Sequence, residues 1–161
     1  MKKVCSTLFV LFASAAFAQP VFRWQQIVGN ITAPGVDNPV AGISTGGLPW
    51  NTTGGTATVN HSTGAVAFQV QGLVLNGGNA SGTPDGVQNV MGTLVCNPGT
   101  TSQTIFNTPM VPLSAQGDAQ FSGSLGTLPA VCATPVFLIR AGTGAAARWI
   151  AAGAVFTTSA M

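Results

Sequence analysis

Few residues in this chain have the chemistry of a catalytic group: one histidine, His61, three aspartates, Asp37, Asp85 and Asp118, and the cysteines Cys96 and Cys132. Glycoside hydrolysis needs two carboxyl groups flanking one bond, and the chain has no glutamate. Asp37 precedes Asn38-Pro39, Asp85 lies within Pro84-Asp85-Gly86, and Asp118 follows Gly117. Aspartate favours such positions because its carboxylate accepts bonds from nearby backbone N–H groups. All three therefore read as turn residues. A nucleophile triad needs a base, and His61 is the one histidine, set in the tight turn His61-Ser62-Thr63-Gly64. Ser62 is too near in sequence to be its nucleophile, and no Gly-x-Ser-x-Gly elbow occurs. One histidine and three scattered aspartates make no zinc or iron set. A calcium site using Asp85 and the loop carbonyls of 76–86 is a minor alternative. Gly46-Gly47 and Gly77-Gly78 adjoin no strand-to-helix junction that would make them phosphate loops. The sequence thus assigns no catalytic, cofactor-binding or metal-ligating residue. Trp24, beside Phe22 and Arg23, reads as a first-strand core residue in preference to an exposed carbohydrate platform.

These residues must be placed in a compartment and on a scaffold. Lys2 and Lys3, the uncharged apolar run 4–17, and Ala16-Phe17-Ala18 predict a secretory signal peptide over residues 1–18. Residues 19–161 then form a single secreted β domain, extracellular or periplasmic. The run is shorter than the ~20 residues of a membrane span, and no second long apolar run follows, so no membrane span is expected. Cys5 leaves with the leader. Cys96 and Cys132 mature in an oxidising compartment, where a pair is expected to close as a disulfide bond.

Beyond the leader, Arg23, Arg140 and Arg148 balance Asp37, Asp85 and Asp118, a formal net charge of zero. A basic footprint for nucleic acid is missing, as is a polybasic segment for anionic lipid. Charged residues are 5% of the chain, against about 25% in an average domain. Hydrophobic residues are 46%, which argues against disorder. A folded domain with a neutral polar skin follows.

Glycine and proline punctuate short apolar–polar alternations, the pattern of an all-β domain. The clearest element is a hairpin with arms 56–60 and 65–75. Val66, Phe68 and Val70 fall on one face with the period of two of a half-buried strand. Gly72 reads as a bulge that returns Leu73 and Leu75 to the core, and this hairpin is expected at the sheet centre. Further strands are expected over 21–28, 87–96, 101–106, 110–113, 119–125, 136–140 and 148–156. Residues 32–48 read as irregular and 76–86 as a loop. About eight short strands suggest an antiparallel β-sandwich, immunoglobulin-like or jelly-roll-like, with one disulfide and with Trp50 and Trp149 as large core anchors.

The motifs run in the order Leu48-Pro49-Trp50, Gly72-Leu73-Val74-Leu75, Leu94-Val95-Cys96, Gly117-Asp118-Ala119-Gln120-Phe121, Leu128-Pro129-Ala130-Val131-Cys132, Pro135-Val136-Phe137-Leu138-Ile139-Arg140 and Trp149-Ile150-Ala151. Over residues 48–152 this order resembles a group of small secreted proteins found chiefly in environmental bacteria. The resemblance implies the fold and secretion. The group has no activity to carry over, so it transfers no site residue.

The expected function is a non-enzymatic extracellular structural or interaction module, with an extracellular or envelope partner or self-association, because a neutral surface tends to associate. The alternatives are a secreted hydrolase with a loop-assembled site around His61, and a small-ligand carrier.

Overall fold

The computed structural model describes residues 20–160, so the predicted leader lies outside the described residues. Among these, β1 (Pro20–Gly29), β2 (Trp50–Asn51), β3 (Gly54–Asn60), β4 (Ala65–Gln71), β5 (Val74–Leu75), β6 (Asn89–Cys96), β7 (Thr104–Asn107), β8 (Val111–Pro112), β9 (Ala119–Ser124), β10 (Val136–Ala141) and β11 (Arg148–Ala160) follow in chain order. A single 3₁₀ turn, Gly144–Ala146, precedes β11. The main sheet is antiparallel, in the order β7-β6-β10-β11-β1-β3-β4-β9. Strand β8 continues the β7 side of β6, and β2 pairs with β5 in a separate ribbon. The gap between β7 and β8 falls at Thr108-Pro109. There the Thr108 N–H donates to Gly92 O at 2.9 Å, and the Thr108 hydroxyl accepts the Gly92 N–H at 2.9 Å.

The chain is all-β with one disulfide, Cys96–Cys132, as the sequence predicts. The architecture differs from the expected pair of stacked sheets: one sheet curls into a half-barrel around its own apolar face. Phe22, Trp24, Val59, Phe68, Val70, Leu94, Phe137 and Ile139 are among the side chains filling the inside. Ring pairs line the interior, with centroids 5.4 Å apart for Trp24–Phe137, 5.8 Å for Phe68–Phe137 and, between directly paired residues of β4 and β9, 6.1 Å for Phe68–Phe121. Two glycines make the curl possible. A Cβ on Gly153 would lie 2.5 Å from the Trp24 ring, and one on Gly92 would lie 2.7 Å from the Phe137 ring. Bulky rings thus sit over bare backbone, the alternation of large and small groups that a tightly curved sheet needs.

Two placements also correct the sequence reading. The β3–β4 hairpin lies towards one edge, while β11, the longest strand, runs between β1 and β10. Alternation shows that a strand is half-buried, and gives no information on how many strands flank it. Gly72 is a positive-φ turn (φ 61°) rather than a bulge. Leu73 and Leu75 do reach the core, but after the chain leaves the main sheet: the Leu73 N–H donates to Gly117 O, and Leu75 lies in the β2–β5 ribbon.

The irregular segment 32–48 covers the outer face of the sheet. Ile43 packs with Val95, Leu138 and Trp149 in a second apolar cluster, flanked by Val40 and Ala41. The Trp149 indole N–H donates to Asn38 O at 3.0 Å, and Thr45 bridges to Trp149. Trp50 belongs to the inner core and Trp149 to this outer cluster, so both are anchors, of different layers. The β10–β11 ladder shifts register between Ile139 and Arg140. This shift lets Ile150 and Ala151 both face inward while Trp149 turns out. Coverage from outside explains why β6 is buried on both faces.

Candidate functional site

His61 and the aspartates do not form one site among the described residues. His61 follows β3, and Asp118 precedes β9 beside the far end of β4. The seven residues of β4, at about 3.3 Å each, hold those two ends roughly 20 Å apart. His61 is half-buried, tilted against Phe22 at 5.3 Å, with Nε2 2.8 Å from Pro129 O. The sequence placed it in an exposed turn; the structure makes it a structural contact. Asp118 Oδ1 accepts the Gly72 N–H at 3.0 Å, joining two turns that are distant in sequence. Asp37 Oδ1 accepts the Thr45 N–H at 2.9 Å and fastens the outer segment. That N–H, and then the Ser44 hydroxyl, hold its carboxyl below the ordinary value of 3.8. Asp85 is exposed in its turn at φ 40°. Among the described residues no group of three or more histidine, cysteine, aspartate or glutamate side chains could share a metal ion. Among them, too, no helix is long and apolar enough to cross a membrane.

Around His61 and the disulfide a strap, residues 125–135, crosses one end of the half-barrel. Its start is tied by the Leu125 N–H to Gly64 O at 2.9 Å, and its middle by His61 to Pro129 O. Its far end is held by the disulfide and by Asn97. The Asn97 amide donates to Val131 O at 3.0 Å and accepts the Ala133 N–H at 2.8 Å, while its backbone N–H donates to Ala133 O at 3.1 Å. Leu128 and Cys132 enter the core beneath the strap. Trp24 is 2% exposed, a core residue as preferred.

Two surfaces stand out. The first is strand β9. It pairs with β4 on one side, and among the described residues no strand pairs with its other edge. Its sequence, Ala119-Gln120-Phe121-Ser122-Gly123-Ser124, contains neither charge nor proline. Beside it an open cleft of about 580 Å³ is lined by Thr56, Thr58, Gln69, Gln120, Phe121 and Ser122 among others, all uncharged.

The second is a cleft of about 300 Å³ on the outer face, walled by Ile43, Ser44, Ile105, Ala145 and Ala147 and carrying Arg140 and Arg148. Arg140 is 6% exposed. It donates to Ala147 O at 2.7 Å and to Asn107 Oδ1 at 3.4 Å, both neutral acceptors. Its Nε is buried with no partner. Burial pushes its pKa down, and desolvation is the sole cause. Sequence reasoning passed over Arg140, although a charge closing the apolar run 136–139 was the available signal. Asn97 gave no signal, since its partners lie far along the chain.

No protein-family model matches the chain, and no curated protein or solved structure is found to be similar to it.

Proposed function

We propose that the protein is a secreted, non-enzymatic structural module that assembles with copies of itself through strand β9, in the extracellular or periplasmic space. The observation that carries this reading is the unpaired, uncharged edge of β9. An edge strand presents a row of unpaired N–H and C=O groups. Soluble proteins guard such edges with charge, proline, bulges or cover, and β9 has neither charge nor proline. On the opposite side of the sheet the edge is interrupted by Pro109 and Pro112, around β7 and β8. The two edges are thus unequal: β8 approaches the first residues of β9 without pairing with them, and the remainder of β9 is open.

A second copy fits this edge by symmetry. Two β9 strands pairing antiparallel about a two-fold axis at Ser122 would set Gln120 opposite Ser124, and Phe121 opposite Gly123. Both pairs are uncharged, and neither sets two bulky side chains against each other, since each Phe121 ring lies over Gly123 of its own strand. The contact is isologous and closes as a dimer. With the charges beyond the predicted leader balanced, no net repulsion opposes it. A disulfide suits an oxidising compartment, and kinship with the secreted bacterial group belongs to the same proposal.

Sedimentation velocity from micromolar to millimolar concentration tests the reading. A reversible dimer is expected, lost in Ser122→Lys, which places like charges opposite one another. A wild-type protein monomeric throughout, or a dimer indifferent to Ser122→Lys, refutes it.

A further inference from the structure

We infer that the Arg140–Arg148 cleft is a binding site for a small organic carboxylate, a monoanion with a short apolar body. The inference stands apart from assembly through β9 and does not rest on it.

The cleft combines buried positive charge with neutral walls. Removing a guanidinium from water costs several kcal/mol unless an opposite charge or full hydrogen bonding offsets it. Arg140 has neither. It is held in the outer-face row by Met91 and Trp149 on its neighbouring strands, its two protein acceptors are neutral, and Nε has none. Arg148, exposed on the rim, adds a second guanidinium to the same cleft. No carboxylate lines it. Asp37 lies outside it, in an adjoining cleft that also carries Arg148; it accepts the Thr45 N–H and attracts Arg148, so Arg140 is the guanidinium left without an acid. Two guanidinium groups lining one opening supply the positive charge and N–H donors that a carboxylate takes.

The walls select within the anions. Ile43, Ile105, Ala145 and Ala147 offer apolar surface. Ser44 is the one hydroxyl among the lining side chains, and it already serves Asp37. A phosphate or sulfate, with several strongly hydrated oxygens, would leave some of them against hydrocarbon. A carboxylate leaves none, and its apolar tail covers Ile43 and Ile105. The volume, about 300 Å³, sits at the small end of ligand sites.

Calorimetric titration of the protein with butyrate, phosphate and sulfate at matched ionic strength is the test. Butyrate should saturate one site and raise the melting temperature. Arg148→Gln, an exposed position, should keep the fold and weaken butyrate about tenfold, the loss of one charge-assisted contact. Arg140→Met should abolish binding without lowering the melting temperature, because it removes an uncompensated buried charge. Saturable phosphate or sulfate without butyrate overturns the inference. So does butyrate binding that Arg148→Gln leaves unchanged, or the absence of any saturable site.

Discussion

Asn97 should matter more to stability than any polar residue on the surface of the sheet, and Asn97→Ala tests how the strap is held. The side chain makes two good hydrogen bonds to the strap, to Val131 O and from the Ala133 N–H, and a longer one of 3.3 Å to Ser102 O. Asn97 is 8% exposed, whereas Val131 is 68% exposed. Water can therefore reach part of what the mutation leaves unpaired. The low end of the hydrogen-bond scale applies, about 1 kcal/mol for each of the two shorter bonds. The backbone adds to this. Asn97 has φ 53°, a conformation that costs residues other than glycine and asparagine about 1 kcal/mol. Asn97→Ala should lose about 3 kcal/mol in urea unfolding, roughly 10 °C in melting temperature for a domain of this size. Asn97→Gly keeps the dihedral without strain and should lose about 2 kcal/mol, so the two variants separate strain from hydrogen bonding. Since Cys96 anchors the same strap, the asparagine and disulfide losses should be non-additive. A loss below about 1 kcal/mol for Asn97→Ala, beneath the total of its bonds, refutes the account of the strap.

Two further outcomes follow from the same structure. Reducing Cys96–Cys132, which lie 36 positions apart, should cost about 4 kcal/mol through the freed entropy of the unfolded chain; a reduced protein with an unchanged urea midpoint contradicts this. Asp37, its carboxyl held below 3.8 by the Thr45 N–H and Ser44, contributes stability that is present above that value and is lost as pH falls through the lower folded value. Asp37→Asn should therefore remove part of the acid limb of a melting-temperature profile, and identical acid limbs for both proteins would show that the contact is idle in solution.

Much of the local structure was legible because local rules set it. Val66, Phe68 and Val70 alternate, and they point inward. Pro84-Asp85-Gly86 and His61–Gly64 are turns, since a positive φ or a turn carboxylate leaves its mark within four residues. The cysteine pair followed from its even count and the expected compartment. The scarcity of charge was plain from composition.

What composition and spacing left undecided is what requires two distant segments to meet. Gly92 and Gly153 look like interruptions in their strands until the rings of Phe137 and Trp24 are seen above them, and that packing is what curls one sheet instead of stacking two. Segment 32–48 reads as irregular because it makes no ladder of its own. Its order comes from Ile43 and Thr45 meeting Trp149, more than a hundred residues away in sequence. Arg140 reads as the polar end of an apolar strand, and only the fold of that outer segment over it turns an ordinary arginine into a buried charge without an acid. Hydrophobic period and turn chemistry act over a few residues and so are written in the chain locally. Curvature, coverage and the environment of a charge depend on which surfaces come together, and those exist only once the chain has folded.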